Sequence, residues 1–114
     1  MTIREVSAAL GAEIVQDEFE DTELSTAYTS DLLSDVMANA IRGGKGGALI
    51  TIQAHKNTVA VATLVDISTL IICNNRPIPD DMIEAARDEG IAVLRVKENQ
   101  FVVSGKLYNM IEST

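Results

Sequence analysis

The stretch TLIICNNRPIPDDMIEAARDEGIAVLRV, residues 69–96, contains two apolar segments on either side of a helical one. The segments TLIIC and IAVLRV are almost entirely apolar, which is typical of strands buried on both faces. Between them the turn NNRPIP leads into DDMIEAARDE, a helix that Gly90 is expected to end. A strand, a helix and a second strand in this order predict a parallel strand pair with a crossover helix.

The segment before this unit extends the same alternation towards the N-terminus. ALITIQ (48–53) has the composition of a buried strand. NTVAVATLVD (57–66) is rich in β-branched residues, as strands are, but it lies between two better strand candidates. Because it begins with Asn57, a residue that caps helices well, we predict a buried helix there.

The N-terminal third adds a helix, two strands and an acidic loop. These are the helix IREVSAAL (3–10), the strand AEIVQ (12–16), the loop DEFEDTE (17–23) and the short strand LSTAYT (24–29). The loop carries five carboxylates, and we interpret it as a solvated connection between the strands. The C-terminal end, NQFVVSGKLYNMI (99–111), predicts a closing helix.

SDLLSDVMANAI (30–41) has the clearest helical spacing in the chain, and the run RGGKGG ends it. Its apolar residues fall on one side of a helix: Leu32, Leu33, Val36, Met37, Ala40 and Ile41. GGKGG (43–47) is similar in composition to a phosphate-binding loop. It follows a helix instead of opening one, however, and Lys45 is followed by glycine where a hydroxyl residue is needed. We interpret it as a mobile turn.

Strands that alternate with helices and are apolar on both faces predict a mainly parallel sheet covered by helices on each side. The sequence has no internal repeat, no low-complexity segment and no linker long enough to divide it. We therefore expect an α/β fold, with residues 1–114 forming a single three-layer αβα domain.

The balance of charges excludes several classes of partner. Nine Lys and Arg against seventeen Asp and Glu give a formal charge of −8, and the cations are scattered, so we expect no nucleic-acid binding. Arg4 and Glu5 stand where a signal peptide needs apolar residues, and Asp66 interrupts the longest apolar run. We expect neither export nor a membrane span.

The sequence offers no evident catalytic group. Cys73 is the only cysteine, so it cannot form an internal disulfide, and a reducing, cytoplasmic setting is expected. One histidine and one cysteine, separated by a helix and a strand, lack the spacing of a metal site, so we expect no metal and no cofactor. Neither a cysteine signature nor a G-x-S-x-G turn marks a nucleophile. We therefore expect that the chain is not an enzyme.

Polar residues follow two neighbouring predicted strands, at the edge where open α/β sheets gather ligand contacts. His55, Lys56 and Asn57 follow one strand, and Arg76 lies in the turn after the next. Lys56 supplies a positive charge, and the amides at the start of a helix favour anions. These residues are candidates for binding a small anion or a nucleotide. The alternative is that they are ordinary polar turn residues.

SDLLSDV (30–36) repeats a Ser-Asp pair at a spacing of one helical turn. In a helix that starts at Ser30, the two carboxylates of Asp31 and Asp35 lie opposite the apolar face, with Ser30 and Ser34 beside them. This arrangement is either a capped, solvated helix face or a contact surface for a cation or a partner protein.

Four stretches together resemble the DRTGG domain family: SDLLSDVMA (30–38), LITIQAHKNTVAVATLVDI (49–67), LIICNNRPIPDDMIEAARDEGIAVL (70–94) and GKLYNMI (105–111). The first is similar to the small, stand-alone members often encoded beside iron-only hydrogenase and related redox subunits. The resemblance implies a fold akin to the N-terminal domain of HPr kinase. It also implies a regulatory role, since larger relatives carry this domain in phosphotransacetylases and between the CBS domains of some pyrophosphatases.

The sequence departs from the family at the motif that gives the family its name. QAHKNT (53–58) follows the central strand in place of Asp-Arg-Thr-Gly-Gly. What the resemblance implies for a ligand site is therefore the position of the turn, which falls on Gln53, His55 and Asn57.

These observations lead to one function and one alternative. We expect a non-catalytic regulatory or dimerisation module that acts through a partner enzyme, with a redox enzyme of the hydrogenase type as one candidate. The alternative is a sensor domain that binds a small anion or a nucleotide. An apolar fraction of 46% on a small sheet leaves little surface to absorb exposed hydrophobic residues, so we expect a homodimer.

Overall fold

The structure is a computed structural model that describes residues 1–40 and 47–113. Its elements, in chain order, are α1 (Ile3–Leu10), β1 (Glu13–Gln16), β2 (Thr26–Thr29), α2 (Leu33–Asn39), β3 (Gly47–Thr51), α3 (Lys56–Leu64), β4 (Ile67–Ile72), α4 (Asp80–Glu89), β5 (Ala92–Arg95) and α5 (Gln100–Glu112). Strands and helices occur in the predicted order. The predicted bounds of α1 and α4 are confirmed, and those of the other elements shift by a few residues at one or both ends.

The five strands form one sheet in the order β1-β5-β4-β3-β2. β2, β3, β4 and β5 run parallel to their neighbours, and β1 pairs antiparallel with β5. Each parallel step from β2 to β5 passes through one helix, as a parallel connection requires. The prediction of a mainly parallel sheet is confirmed.

Helices cover both faces of the sheet. α2, α3 and α4 pack on one face, where Leu49 and Leu70 contribute to the core. On the other face α1 and α5 pack against Ile50 and Ile71, the next residues along the same strands. This confirms the three-layer αβα architecture. Within residues 1–40 and 47–113, no helix has the length and apolar character that crossing a bilayer requires.

The acidic loop 17–23 connects the two edges of the sheet. β1 lies at one edge and β2 at the other, so the connection passes the ends of the three strands between them. The Arg4 guanidinium lies 4.6 Å from the centre of the Phe19 ring, and the Arg4 main-chain amide donates to Asp21 at 2.9 Å. The segment is a loop, as predicted, but these contacts attach it to α1.

The start of the predicted helix 30–41 is wrong. α2 begins at Leu33, so Ser30 and Asp31 lie outside it. The Ser30 hydroxyl accepts a hydrogen bond from the Leu32 amide at 3.2 Å, and such a local bond competes with helix formation. Leu32 is extended and 60% exposed, so its predicted place on the buried face is also wrong. The predicted helix end at Ile41 and most of the mobile turn 43–47 lie outside the described residues.

Candidate functional site

The parallel strands bring four loops to one edge of the sheet, which we call the carboxyl edge. These loops are residues 30–32 after β2, 52–55 after β3, 73–79 after β4 and 96–99 after β5. Every candidate residue lies in one of these loops or in the first turn of the helix that follows it. The site therefore depends on which side chains of neighbouring loops meet.

His55 is the N-cap of α3. Its ring is exposed, and Nδ1 accepts a hydrogen bond from the Asn57 amide at 3.0 Å. The His55 carbonyl accepts from the Thr58 amide at 2.9 Å. A ring whose Nδ1 acts as an acceptor carries a proton on Nε2, which leaves the Nε2–H group available as a donor. The histidine thus has a structural role and one free donor.

Asn57 was predicted to cap this helix, and that prediction is wrong. The helix begins one residue earlier, at Lys56, and the cap is His55. The Asn57 amide lies in the first turn of α3 and has no acceptor within the helix. The His55 ring nitrogen accepts from it, as the side chain of an asparagine cap accepts from an amide of its helix. The consequence for ligand binding is direct, because the Asn57 and Thr58 amides already have acceptors within the chain. An anion at this edge therefore depends on side chains more than on the helix amides.

Gln53 joins the loops that follow β2 and β3. Its Nε2 donates to the Asp31 carbonyl at 2.6 Å, and its carbonyl accepts from the Thr58 hydroxyl at 2.7 Å. Its own amide donates to the Thr51 hydroxyl at 3.1 Å. The first bond fixes the half-buried side chain, and the other two fix the main chain of Gln53. Gln53 therefore positions the loop, and its amide is already engaged.

Arg76 lies in the loop after β4, which is hydrogen-bonded to the loop after β5. Asn74 and Asn75 have φ angles of 63° and 51°, a left-handed conformation that asparagine tolerates better than most residues. Their amides donate to the carbonyls of Glu98 at 2.9 Å and Val96 at 2.8 Å, so the turn is held against the loop after β5. The Arg76 side chain is exposed and makes no hydrogen bond or ion pair with the residues that the structure describes.

Lys56 is the second exposed cation of the candidate set. It lies in the first turn of α3 and has no hydrogen-bond or ion-pair partner within residues 1–40 and 47–113. Lys56 also lines an open groove of about 430 Å³ between α3 and α4, together with Asn57 and Asp88. Lys56, in the first turn of α3, and Arg76, in the loop after β4, are thus two positive charges at the carboxyl edge that no described carboxylate pairs with.

The Ser-Asp repeat is divided by the structure. Asp35 is half-buried and accepts from the Tyr28 hydroxyl at 2.9 Å and from Asn39 Nδ2 at 3.0 Å, while the side chains of Asp31 and Ser34 are exposed. Hydrogen bonds from Ser30, Tyr28 and Asn39, in that order, lower the pKa of Asp35. The same carboxylate raises the pKa of Tyr28.

Asp35 is therefore an anchor that ties α2 to β2, and the predicted pairing of Asp31 with Asp35 one turn apart is wrong. A cation or partner contact at this segment stays a prediction, which now falls on Asp31 and Ser34. Tyr28 and Asn39 were missed by the sequence analysis. The spacing of Asn39 four residues after Asp35 is a signal that helical geometry would have supplied.

We expect Asp35→Ala to lower the melting temperature at pH 7 by several degrees, because the Tyr28 hydroxyl and the Asn39 amide lose their common acceptor. The native pKa lies below the usual value of 3.8, so this stabilisation is complete above that pH. It is lost as the pH falls through the lowered native pKa. Circular dichroism melts between pH 7 and pH 2 measure the difference between the variant and the wild type.

Asp31→Ala is the matched control, since its exposed carboxylate has no hydrogen bond within the described residues. It should melt with the wild type at every pH. Equal melting of Asp35→Ala and the wild type at pH 7 would show that Asp35 only solvates its helix.

Cys73 directly follows β4 at this edge and does not face solvent. It is fully buried, and burial followed by the charge of Glu98 raises the pKa of its thiol to about 11. The thiol is therefore neutral near pH 7 and inaccessible, which is the environment of an inert cysteine. Within the part of the chain that is described, no three His, Cys, Asp or Glu side chains are arranged as a metal site.

Comparison with known proteins shows a likeness of fold to a solved regulatory region. No protein-family model matches the chain, and no curated protein matches it. Among solved structures, it is similar to the CBS and DRTGG domains of the regulatory region of Clostridium perfringens pyrophosphatase, complexed with the activator diadenosine tetraphosphate. The TM-score is 0.72 at 15% sequence identity, over 93% of this chain and 45% of that chain. The likeness shows the fold and supports the DRTGG-like architecture. This chain spans less than half the length of the solved chain that it matches.

Proposed function

We propose that this chain is a regulatory module that performs no chemistry of its own and changes the activity of a partner enzyme. One observation carries the proposal: 93% of the chain shares its fold with a region that is regulatory in the pyrophosphatase. The exposed candidate residues also support the proposal. They lie in loops or first helical turns at the carboxyl edge, and they do not include an activated nucleophile. Cys73, the strongest intrinsic nucleophile of the chain, is buried and neutral.

The partner we propose is a redox enzyme of the hydrogenase type. The similarity of residues 30–38 to hydrogenase-associated members of the DRTGG family supports this choice. A formal charge of −8 favours a partner with a basic docking face, because complementary charges speed association and make it sensitive to salt. Asp31, just before α2, and Ser34, in its first turn, are exposed and are candidate contacts.

The test mixes the purified chain with a hydrogenase-type enzyme from the same cell, and measures turnover and co-elution. We expect turnover to change at least twofold at saturation. We also expect the complex to weaken between 50 and 500 mM salt, because salt screens the attraction between exposed charges (the Debye length is about 10 Å at 0.1 M). Asp31→Lys should weaken the complex more than Asp88→Lys, which makes the same change of charge on α4. Unchanged turnover together with separate elution at low salt would contradict the proposal.

A second function, the binding of a nucleotide or small anion, is supported by a different observation. Lys56 and Arg76 are exposed at the carboxyl edge without partners among the described residues, and the Nε2–H group of His55 is a donor nearby in sequence. The pyrophosphatase region with the same fold was solved with a nucleotide activator. A regulatory module of this kind would report the ligand to its partner.

A further inference from the structure

The two edges of the sheet are protected differently. At one edge, Glu13 of β1 forms an ion pair with Arg95 at 2.6 Å, and the pairing is irregular between Ile14 and Gln16. Charges and bulges at an edge prevent another strand from adding to it. At the opposite edge β2, with the sequence TAYT, has no charge and no proline, and among the described strands it pairs with β3 alone. The edge formed by β2 is therefore open.

The free main-chain groups of β2 can be assigned from one hydrogen bond. The Ser30 amide donates to the Ile50 carbonyl of β3 at 3.2 Å. Because successive residues of a strand alternate in the direction of their main-chain groups, those of Ala27 and Thr29 point away from β3. These groups are the donors and acceptors that a further strand would use.

α5 borders this open edge. It lies over β2 and β3, and the Ser104 hydroxyl is 2.7 Å from that of Thr29. Phe101, Gly105 and Tyr108 follow at positions i, i+4 and i+7 and form one stripe on the helix, which we call the α5 stripe. Phe101 is 86% and Tyr108 65% exposed. Two aromatic side chains on either side of a glycine are thus presented next to an unpaired strand.

Packing against the described residues 1–40 and 47–113 does not explain Gly105. It lies in the middle of the 13-residue helix α5, where glycine is less favourable than alanine. A Cβ atom added there would meet nothing within 4 Å, so internal packing does not require the glycine. A glycine on an outer helix face does permit the close approach of another backbone. The glycine therefore suggests that a second helix crosses α5 at this position.

We propose that β2 and the α5 stripe form the interface of a homodimer, in which β2 pairs antiparallel with β2 of a second copy and the two α5 helices cross at Gly105. Strands are spaced about 4.8 Å apart. Since α5 lies over both β2 and β3, a twofold axis beside β2 brings the two α5 axes to about 10 Å, the usual distance between packed helices. Strand pairing and helix packing are therefore satisfied by one twofold contact.

The expected area of this interface is that of a weakly associating dimer. Full burial of an aromatic residue removes about 150–250 Å², so the exposed parts of Phe101 and Tyr108 in two copies supply roughly 450–750 Å². The main chain of β2 and the walls of the adjacent groove, whose volume is about 310 Å³, add to this. The sum approaches the lower bound of specific interfaces, about 1,200 Å². Dissociation should therefore be measurable at low concentration.

The first test is the mass in solution, and it is independent of the proposed regulatory function. We expect twice the chain mass of 12.3 kDa at about 100 μM and a decline towards the chain mass on dilution. Tyr108→Glu should have the chain mass throughout. Leu64→Glu, which places the same charge on a residue 62% exposed on α3, should behave as the wild type. A wild type at the chain mass throughout, or dissociation by Leu64→Glu alone, would overturn the proposal.

The second test locates the contact. With axes about 10 Å apart, the Cα atoms of Gly105 in the two copies approach to about 5 Å, within the range that a disulfide spans. Oxidation of Gly105→Cys should therefore give a covalent dimer on a non-reducing gel after free thiols are alkylated, while Leu64→Cys should not. The buried Cys73 should leave the wild type uncrosslinked. A covalent dimer of Leu64→Cys, or none of Gly105→Cys, would place the contact elsewhere and overturn the proposal.

Discussion

Leu70→Ala is expected to lower the free energy of unfolding by about 3–5 kcal/mol. Leu70 lies in β4, the central strand of the sheet, and its side chain is fully buried among residues of α3 and α4. Removal of its terminal carbons leaves a cavity that the strands on either side cannot fill, because they are fixed by the ladder. Urea or guanidinium unfolding, with the midpoint and the slope fitted separately, measures the loss.

Leu64→Ala is the matched control for this experiment. The side chain of Leu64 is 62% exposed on α3, six residues before Leu70, so the same chemical change should alter stability by no more than about 0.5 kcal/mol. A loss below about 1 kcal/mol for Leu70→Ala would contradict the packing of α3 and α4 on this face. A changed slope would instead indicate a change in the unfolded state.

Burial in the middle of the sheet is also the reason that this part of the fold was predictable. β3, β4 and β5 have helices on both faces, so their sequences are mostly apolar and can be recognised as strands without reference to their neighbours. Gly90 ends α4 with φ at 67°, a conformation that glycine adopts without strain. Elements whose limits are set by local chemistry of this kind appear where they were predicted.

The errors occurred where two local solutions competed. The sequence predicts a helix that starts at Ser30, but the Ser30 hydroxyl accepts a hydrogen bond from the Leu32 amide and the helix begins at Leu33. At α3 the chain offers two caps in succession, and His55 is used in preference to Asn57. Such alternatives differ in free energy by about 1 kcal/mol or less, so neighbouring loops decide between them. The bond from Gln53 to the carbonyl of Asp31 is a contact of this kind.

The candidate site was predictable in position but not in detail. The order of strands and helices places the loops that carry His55 and Arg76 at one edge. It does not show that the Arg76 turn is bonded to residues 96–98, or that Asp35 is engaged by Tyr28. Those contacts join segments far apart in the chain, and no local pattern encodes them.

Binding of a nucleotide at the carboxyl edge is expected to raise the melting temperature by about 10 °C. A ligand at a hundred times its Kd stabilises the native state by about 2.7 kcal/mol, and 1 kcal/mol corresponds to several degrees in a domain of this size. The probes are diadenosine tetraphosphate, ATP and inorganic phosphate, each titrated into the wild-type chain in a thermal shift assay. A shift with phosphate alone would identify an anion site, whereas a shift with the nucleotides alone would show that the base contributes.

The variants distinguish a site at this edge from binding elsewhere. Arg76→Ala and Lys56→Ala should each weaken nucleotide binding about tenfold, which at the same ligand concentration lowers the stabilisation to about 1.4 kcal/mol. Arg87→Ala removes the same charge from the exposed ion pair with Glu18 and should leave the shift unchanged.

His55 requires a different substitution, because alanine would remove the cap of α3 and lower the melting temperature without ligand. His55→Asn keeps an acceptor for the Asn57 amide and removes the Nε2–H donor. If that donor contacts the ligand, this variant has the melting temperature of the wild type without ligand and a smaller rise in melting temperature with ligand. A wild-type curve that none of the three probes moves would refute nucleotide and phosphate sensing at this edge, and His55 would then be a helix cap alone.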